Sequence, residues 1–258
     1  MQLNLEQPRL TPEERCGACA EGIAPPFPFT MAFQPVVDLA ANRVYAYEAL
    51  VRGPGGESAG SVLAKVTADN RYAFDQSCRA KAIELASRLD LQGTGAKLSI
   101  NFIPGAMYRP ENCVRATLAA ARRHKFPLDR IVFELTENEK VTDYAHLESI
   151  FHTYHANGFR VALDDFGAGY SGLDLLAQFR PDVVKLDMVL VRGLDTDVRR
   201  RAIVGGVVDI CRSLLTEVVA EGVETGAELA ALRALGITLF QGYLFAKPAF
   251  EMLPRVAF

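Results

Sequence analysis

The stretch “MAFQPVVDLAANRVYAYEALVR”, residues 31–52, contains two runs of apolar and β-branched residues joined by the short connection “AANR”. Such runs are typical of buried strands. A connection of this length suits a hairpin and is far too short for the crossover that two parallel strands require. The stretch therefore predicts that the first two strands of the domain pair antiparallel.

Six further apolar runs follow, namely “AKLSINFI”, “RIVFELTE”, “RVALDDF”, “DVVKLD”, “EVVAEGVE” and “LFQGYLFAKP”. Segments with helical periodicity lie between most of the runs, and the helix candidates are Ser61–Asp69, Arg71–Leu89, Asn112–Lys125, Asp143–Asn157, Leu173–Phe179, Asp197–Leu214 and Ala227–Leu235. Alternating strands and helices favour a parallel sheet with crossover helices, and eight such strands close a barrel. We therefore predict an α/β fold, a TIM-like (β/α)8 barrel with the first strand antiparallel.

The beginning of the chain differs from the rest. Residues 1–28 show little periodicity and end in “APPFPF”, whose closely spaced prolines disfavour regular structure. We predict a lead-in segment over 1–28 and one folded domain over 29–258. The lead-in contains a C-x-x-C pair, Cys16 and Cys19. No second C-x-x-C is present to complete a zinc site, so two free thiols are favoured over a metal or redox role.

Composition narrows the classes of function. The formal net charge of −3 argues against the broad basic face that binds polymeric nucleic acid. No apolar run approaches the ~20 residues that cross a bilayer, and the N-terminus lacks the basic-then-apolar order of a signal peptide. The five cysteines form an odd and unpatterned set, which agrees with a reducing compartment. These features predict a cytoplasmic protein that binds neither polymeric nucleic acid nor a membrane.

Nearly every run carries a polar side chain near its end: Glu48, Asn101, Glu134, Asp164, Asp165, Lys185, Asp187, Glu221, Glu224 and Gln241. The carboxyl ends of parallel barrel strands converge on one mouth, so these groups should share a site. Several carboxylates in one mouth would repel each other and raise their pKa values unless cations neutralise them. Asp164 and Asp165 are adjacent, and adjacent side chains on a regular strand point to opposite faces. Both can face the mouth only if the strand has already ended or if a bound cation draws both inward.

The residue types indicate the kind of cation. Carboxylate and amide oxygens without cysteine or histidine favour Mg²⁺ or Mn²⁺ over zinc. The carboxylates are more numerous than one Mg²⁺ needs, which predicts two ions bridged by one carboxylate. Two metal ions arranged in this way hold the attacking and leaving oxygens of an in-line phosphoryl displacement.

Seven motifs carry a family resemblance: “YEALVR”, “INF”, “FELTE”, “LDDFGAGYSGL”, “VKLD”, “AEGVET” and “QGYLFAKP”. From about Phe29 to Pro248 the chain resembles the EAL-domain phosphodiesterases of bacterial cyclic-di-GMP signalling. The resemblance implies a metal-dependent enzyme that hydrolyses cyclic di-GMP to linear pGpG by in-line attack of a metal-activated water. It also implies a homodimer.

The resemblance assigns roles to particular residues. One ion would be held by Glu48, Asn101, Glu134 and Asp164, and the other by Asp164, Asp165 and Glu221. The implied catalytic residues are Lys185, Glu48, Asp164 and Asp165, with Lys185 orienting the nucleophile. Arg52 would bind a substrate phosphate, a task that suits the guanidinium fork, and Gln34 is a second candidate for substrate binding. Asp187, Glu224 and Gln241 would orient ligands and waters, and Glu137 would steady the loop after Asp165.

The chain also departs from the family pattern. The glycine-rich “RGPGGESAG” follows Arg52 where an aromatic residue is frequent, which predicts a wider guanine-side pocket. Ala168 and Gly172 replace a threonine and a serine, which removes two hydroxyls that could fix the loop. The alternative to an enzyme is a receptor that binds cyclic di-GMP without cleaving it and acts through a protein partner. A regulator that binds no nucleotide is a third interpretation, although every matched ligand position is retained.

Overall fold

The computed structural model describes residues 26–103, 109–136, 143–169 and 172–256 of the 258-residue chain. Its strands are β1 (Thr30–Asp38), β2 (Arg43–Arg52), β3 (Lys97–Asn101), β4 (Ile131–Thr136), β5 (Arg160–Phe166), β6 (Val183–Leu186), β7 (Glu217–Ala220), β8 (Leu239–Phe240) and β9 (Ala249–Phe250). Its helices are α1 (Ala59–Leu63), α2 (Arg71–Arg88), α3 (Leu91–Thr94), α4 (Pro110–His124), α5 (Tyr144–Ala156), α6 (Gly172–Gln178), α7 (Met188–Val191), α8 (Val198–Ser213) and α9 (Gly226–Ala234).

The hairpin at residues 30–52 decides how the sheet closes. β1 pairs antiparallel with β2 on one side and with β8 on the other, while β2 to β8 are successively parallel. Asn42 provides a positive φ of 50° in the tight connection, a conformation that asparagine tolerates better than most residues. The predicted barrel with a reversed first strand is confirmed, and β9 adds a short outer pairing to β1.

The helices shield the outside of the barrel, and apolar side chains fill its interior. One interior layer receives residues from seven of the eight barrel strands: Val36, Tyr45, Ala46, Val132, Ala162, Val183, Val219 and Leu239. A larger cluster packs the outer faces of the strands against the helices. The interior is therefore a packed core, as in other barrels of this size, and polar groups are left to its ends.

A buried arginine fixes helix α2 near the end of β3. Arg79 is fully buried, pairs with Asp75 at 2.6 Å and donates to the hydroxyl of Tyr154 at 2.8 Å. The other carboxylate oxygen of Asp75 accepts from the backbone N–H of Ile103 at 2.9 Å. Since Ile103 lies two residues after Asn101, this network holds the backbone that leads away from the barrel mouth.

The predicted elements agree with the structure except at short segments. The candidate helix at 61–69 is only the five-residue α1, and the eighth run forms a strand of two residues. Helices α3 and α7 were not predicted, because four residues are too few to show a periodic pattern. Cys16, Cys19 and most of the predicted lead-in lie outside the described residues, so the domain boundary stays a prediction. In the parts of the chain that the structure describes, no helix has the length and apolar character needed to cross a membrane.

Gly242 lies just beyond the eighth strand, where its backbone passes close to that of Val223. A Cβ at this position would lie 2.1 Å from the carbonyl oxygen of Val223, so only glycine allows the backbones to approach this closely. We expect Gly242→Ala to lower the free energy of unfolding by about 1–3 kcal/mol, as overpacking does elsewhere. Urea unfolding measures the change. Gly206→Ala is the control, because its Cβ would meet nothing within 4 Å on helix α8 and should leave stability unchanged or raise it.

Candidate active site

The carboxyl ends of the barrel strands bring the predicted polar residues together. Glu48 lies on β2, Asn101 on β3, Glu134 on β4, Lys185 on β6, and Glu221 and Gln241 directly follow β7 and β8. The strand pairing places Glu48 opposite Gln34 and Asn101 beside Glu134. These side chains are buried or half-buried at one mouth, as the sequence predicts.

Lys185 lies at the centre of this group. Its Nζ is 2.8 Å from Glu221 Oε1, 3.0 Å from Glu134 Oε2 and Asp164 Oδ1, and 3.4 Å from Glu48 Oε2. The side chain is only 2% exposed. One ammonium group thus contacts four carboxylates, which leaves the mouth with an excess of negative charge.

The two adjacent aspartates both face the mouth because the strand is irregular there. Asp165 has a φ of 55°, in the left-handed region that non-glycine residues rarely adopt. The pairing of β5 with β6 shifts register between Leu163 and Phe166, at the same place. The break in alternation lets Asp164 and Asp165 contribute to one group of ligands instead of pointing to opposite faces.

Two groups of carboxylates have a spacing that suits a metal ion. Glu48, Glu134 and Asp164 form one, and Asp164, Asp165 and Glu221 form the other, with the ligand atoms of each group within 4.8 Å of one another. Asp164 belongs to both groups, is buried, and has its Oδ1 3.0 Å from the Nζ of Lys185. Hard oxygen donors in two overlapping groups fit a pair of divalent ions that share a bridging carboxylate.

Burial and mutual repulsion perturb these carboxyl groups. Burial raises the pKa of Glu134 to about 8 despite Lys185, with Glu48 and Asp164 adding to the rise. Burial and the neighbouring Asp164 raise the pKa of Asp165 to about 6. The pKa values of Asp164 and Glu221 are also raised, first by burial.

Glu48 differs from the other carboxylates because hydrogen bonds support its charged form. Asn101 donates to its Oε1 at 3.1 Å, and Gln241 donates to its Oε2 at 2.7 Å. Burial alone would raise the pKa of Glu48, but Lys185 and these two amides outweigh it and lower the pKa. Gln241 also donates to Gln34 at 3.3 Å, so the two glutamines form one amide pair beside Glu48.

The remaining predicted residues lie at the rim. Asp187 accepts from the backbone N–H of Val189 at 2.7 Å and caps helix α7, while its charge helps to raise the pKa of Asp165. Glu224 forms an ion pair with Arg192. The guanidinium of Arg52 donates to the carbonyl of Val51 at 2.7 Å and makes no ion pair with a carboxylate in the described residues.

The loop predictions are only partly covered by the structure. Glu137 lies outside the described residues, and so does part of the loop after Asp165. Ala168 is exposed, and Gly172 is buried at the first position of α6. The effect of these two replacements on the loop stays a prediction.

Two cavities flank the carboxylates, and Asp164 and Asp165 line both. One, of about 410 Å³, is mostly apolar and includes Leu50, Phe74 and Ile103 in its wall. The other, of about 310 Å³, lies beside Glu221, Arg192 and Tyr243. The site can therefore receive a ligand with a lobe on each side of the ion-binding groups.

Five wall residues of the smaller cavity were not predicted as site residues from the sequence: Met188, Arg192, Gly222, Gly242 and Tyr243. Met188 and Arg192 belong to or follow the short helix α7, which no periodic pattern indicated. Tyr243 lies in the motif “QGYLFAKP”, and its position beside the strand end was the one available signal.

Comparisons with known proteins place this site in a family. The EAL domain profile matches residues 28–248. A standalone versatile EAL protein from Vibrio cholerae O395, solved with c-di-GMP bound, is 51% identical with a TM-score of 0.87, covering 91% of this chain and 98% of that chain. Klebsiella pneumoniae BlrP1, solved with manganese and cyclic di-GMP, is 38% identical with a TM-score of 0.82, covering 89% of this chain and 58% of that one.

Two curated relatives from Escherichia coli K12 are also similar. The blue light- and temperature-regulated antirepressor BluF is 30% identical over 246 residues, which is 95% of this chain and 60% of BluF. The cyclic di-GMP phosphodiesterase PdeR is 41% identical over 125 residues, which is 48% of this chain and 18% of PdeR. The matches thus span at most about three fifths of the length of these relatives. The match of the EAL profile over most of the chain, together with the retained barrel and carboxylate mouth, shows that the chain belongs to the EAL domain family.

Proposed function

We propose that the protein is a phosphodiesterase that hydrolyses one phosphodiester bond of cyclic di-GMP to give linear pGpG. The observation that carries the proposal is the pair of overlapping carboxylate groups that share Asp164. A relative named as a cyclic di-GMP phosphodiesterase and a neighbour solved with c-di-GMP support the choice of substrate.

The same geometry supports Mg²⁺ or Mn²⁺ as the cofactor, with two ions in each site. Glu48, Asn101, Glu134 and Asp164 would hold one ion, and Asp164, Asp165 and Glu221 the other. When bound, such a pair lowers the pKa of water and neutralises charge on a phosphoryl group. The neighbour solved with manganese and cyclic di-GMP agrees with this choice of ion.

Side chains of this protein would orient the nucleophile, the ligand Glu48 and the substrate. Lys185 is held by its four carboxylate contacts close to Asp164, where its ammonium can donate to the nucleophile and to a phosphoryl oxygen. Gln241 and Asn101 keep Glu48 charged and oriented. Arg52 and Gln34 would bind the substrate, with Arg52 moving from the carbonyl of Val51 to a phosphate.

The substrate has two guanine bases on either side of a central phosphodiester ring. The two cavities beside Asp164 and Asp165 provide a place for each base, which leaves the ring over the ion-binding groups. The larger cavity has the more apolar wall and therefore suits a flat base that leaves water.

Removal of divalent ions should stop the reaction. We expect purified protein to convert cyclic di-GMP to pGpG with Mg²⁺ or Mn²⁺, and to lose this activity in excess chelator, because the repelling carboxylates cannot activate water alone. Chromatography of the nucleotides measures the product. Return of activity on adding Mn²⁺ is the control for damage by the chelator. Cleavage that persists in the chelator would contradict the metal requirement.

A second candidate function is a receptor that binds cyclic di-GMP and acts through a protein partner. The observation that favours it is the similarity of 95% of this chain to a relative named as an antirepressor. Equilibrium dialysis with cyclic di-GMP distinguishes the two functions. If the protein binds cyclic di-GMP but forms no pGpG with either Mg²⁺ or Mn²⁺ present, the receptor function is supported.

The predicted homodimer, the cytoplasmic location and the domain start at residue 29 stay predictions.

A further inference from the structure

A single turn of helix, α7 at Met188–Val191, packs against the loops that follow Asp165 and Glu221. It directly follows β6, which lies between β5 and β7 in the sheet. The strand ends on either side of it are therefore those that carry Asp165 and Glu221. These two residues are the carboxylates that belong to the second ion group alone.

The backbone leading into α7 binds both loops. The N–H of Asp187 donates to the carbonyl of Phe166 at 3.1 Å, directly after Asp165. The N–H of Glu221 donates to the carbonyl of Leu186 at 3.0 Å. Two consecutive residues, Leu186 and Asp187, thus connect the backbones of the two ligand loops.

Each loop then turns at a glycine that packs tightly against α7. Gly167 has a φ of +98°, and a Cβ there would lie 2.3 Å from Leu190 Cδ1. Gly222 has a φ of +65°, and a Cβ there would lie 2.5 Å from Met188 Cβ. Both glycines follow a ligand of the second ion group within two residues, and both use a conformation that glycine adopts at little cost.

Glu221 and its loop are also held from the opposite side. The N–H of Val223 donates to the carbonyl of Gln241 at 3.1 Å, and Gly242 packs against the backbone of Val223. The loop is therefore clamped between the end of β8 and helix α7.

We propose that Leu190 and Met188 are positioning residues that set the separation of Asp165 and Glu221, and hence the affinity of the second ion. The inference rests on the proposed function, since it requires the two-ion site. Neither residue is a ligand. Groups that orient metal ligands through hydrogen bonds change metal affinity by about 10–100-fold when they are removed, and we expect the packing of α7 to have an effect in the same range.

Manganese binding to the full chain tests the inference without any use of the catalytic rate. Isothermal titration and Mn²⁺ electron paramagnetic resonance should count two ions on the wild type. We expect Leu190→Ala to keep one ion at wild-type affinity and to bind the other about 10–100-fold more weakly. Leu190→Met keeps most of the apolar volume, so it should bind the second ion with nearly the affinity of the wild type.

Leu235→Ala is the matched control, because Leu235 is also half-buried and also packs against a glycine. A Cβ at Gly205 on α8 would lie 3.6 Å from Leu235 Cδ2. The control variant should bind both ions as the wild type does. Gly222→Ala disturbs the contact with α7 from the other loop, so it should also weaken the binding of the second ion. Thermal unfolding checks that the variants fold.

Several results would overturn the inference: a wild type that binds only one ion, a Leu190→Ala variant that binds both ions normally, or equal losses in Leu190→Ala and Leu235→Ala. A wild type that binds two ions without cleaving cyclic di-GMP would overturn the proposed function instead. In that case the selective effect of Leu190→Ala on the second ion would still support the role of α7.

Discussion

Glu48→Gln is expected to reduce the cleavage of cyclic di-GMP by at least about a thousandfold, since the water activation that a bound ion supplies would be lost. Among the predicted carboxylate ligands, all of which the structure describes, Glu48 alone has a lowered pKa, so it is the most firmly charged ligand of the first ion group. Glutamine has nearly the same volume, but it removes the charge. Its amide would also place a donor against Asn101 or Gln241, which both donate to Glu48.

The rate of pGpG formation at saturating Mn²⁺ measures the effect, and the number of ions bound should fall from two to one. Glu217→Gln is the control, because Glu217 lies at the start of β7, at the opposite end of the barrel. There it accepts from Tyr45 at 2.7 Å and pairs with Arg160. If Glu48→Gln cleaves cyclic di-GMP as fast as the wild type, Glu48 is not a ligand of the metal site.

The sequence predicted which residues meet at the mouth because strand ends in a barrel have fixed neighbours. Glu48, Glu134 and Lys185 lie on strands, and their meeting follows from the strand order alone. The reversed β1 was equally predictable, since the short connection between the first two strands permits only a hairpin. These features depend on topology, which the pattern of runs determines.

Other features depend on local backbone geometry, which a single sequence does not reveal. The left-handed conformation of Asp165 coincides with the register shift before Phe166 pairs with Leu186, a contact between separate strands. Helix α7 is too short for a periodic pattern, yet it packs against Gly167 and Gly222. The glycines were visible in the sequence, but the side chains that require them were not.

The central position of Lys185 was not predicted either. From the sequence, a simple pairing of Lys185 with Asp187 was one interpretation, and the family resemblance assigned Lys185 to orienting the nucleophile and to offsetting charge on the phosphoryl oxygens. The structure shows that Asp187 instead caps α7 and that Lys185 contacts four other carboxylates. The number of contacts follows from the inward direction of the Lys185 side chain on β6, which only the closed barrel specifies.

Lys185→Met should therefore destabilise the metal-free protein. Removing one partner of a buried ion pair typically costs about 3–5 kcal/mol of unfolding free energy, because the charge that remains has no partner. Here the loss of one ammonium would leave Glu134, Asp164 and Glu221 without their cation, and burial already opposes their charged forms. Urea unfolding in excess chelator measures the difference from the wild type.

Measurements at saturating Mn²⁺ distinguish the structural role of Lys185 from its catalytic role. Divalent ions bind the folded variant and neutralise the same carboxylates, so saturating Mn²⁺ should restore much of the lost stability by mass action. It should not restore cleavage, which we expect to remain about 10²–10³-fold below the wild type because a donor to the developing charge is missing.

Lys97→Met is the matched control for this pair of measurements. Lys97 begins β3 at the opposite end of the barrel, where its Nζ lies 3.8 Å from the centre of the Tyr45 ring. Its removal should cost only about 0.5–1 kcal/mol, as for other cation–π contacts, and Mn²⁺ should not change that cost. If Lys185→Met unfolds like the wild type in chelator, the ammonium does not neutralise the mouth. If Mn²⁺ restores its cleavage, Lys185 serves only to hold the carboxylates together in the absence of ions.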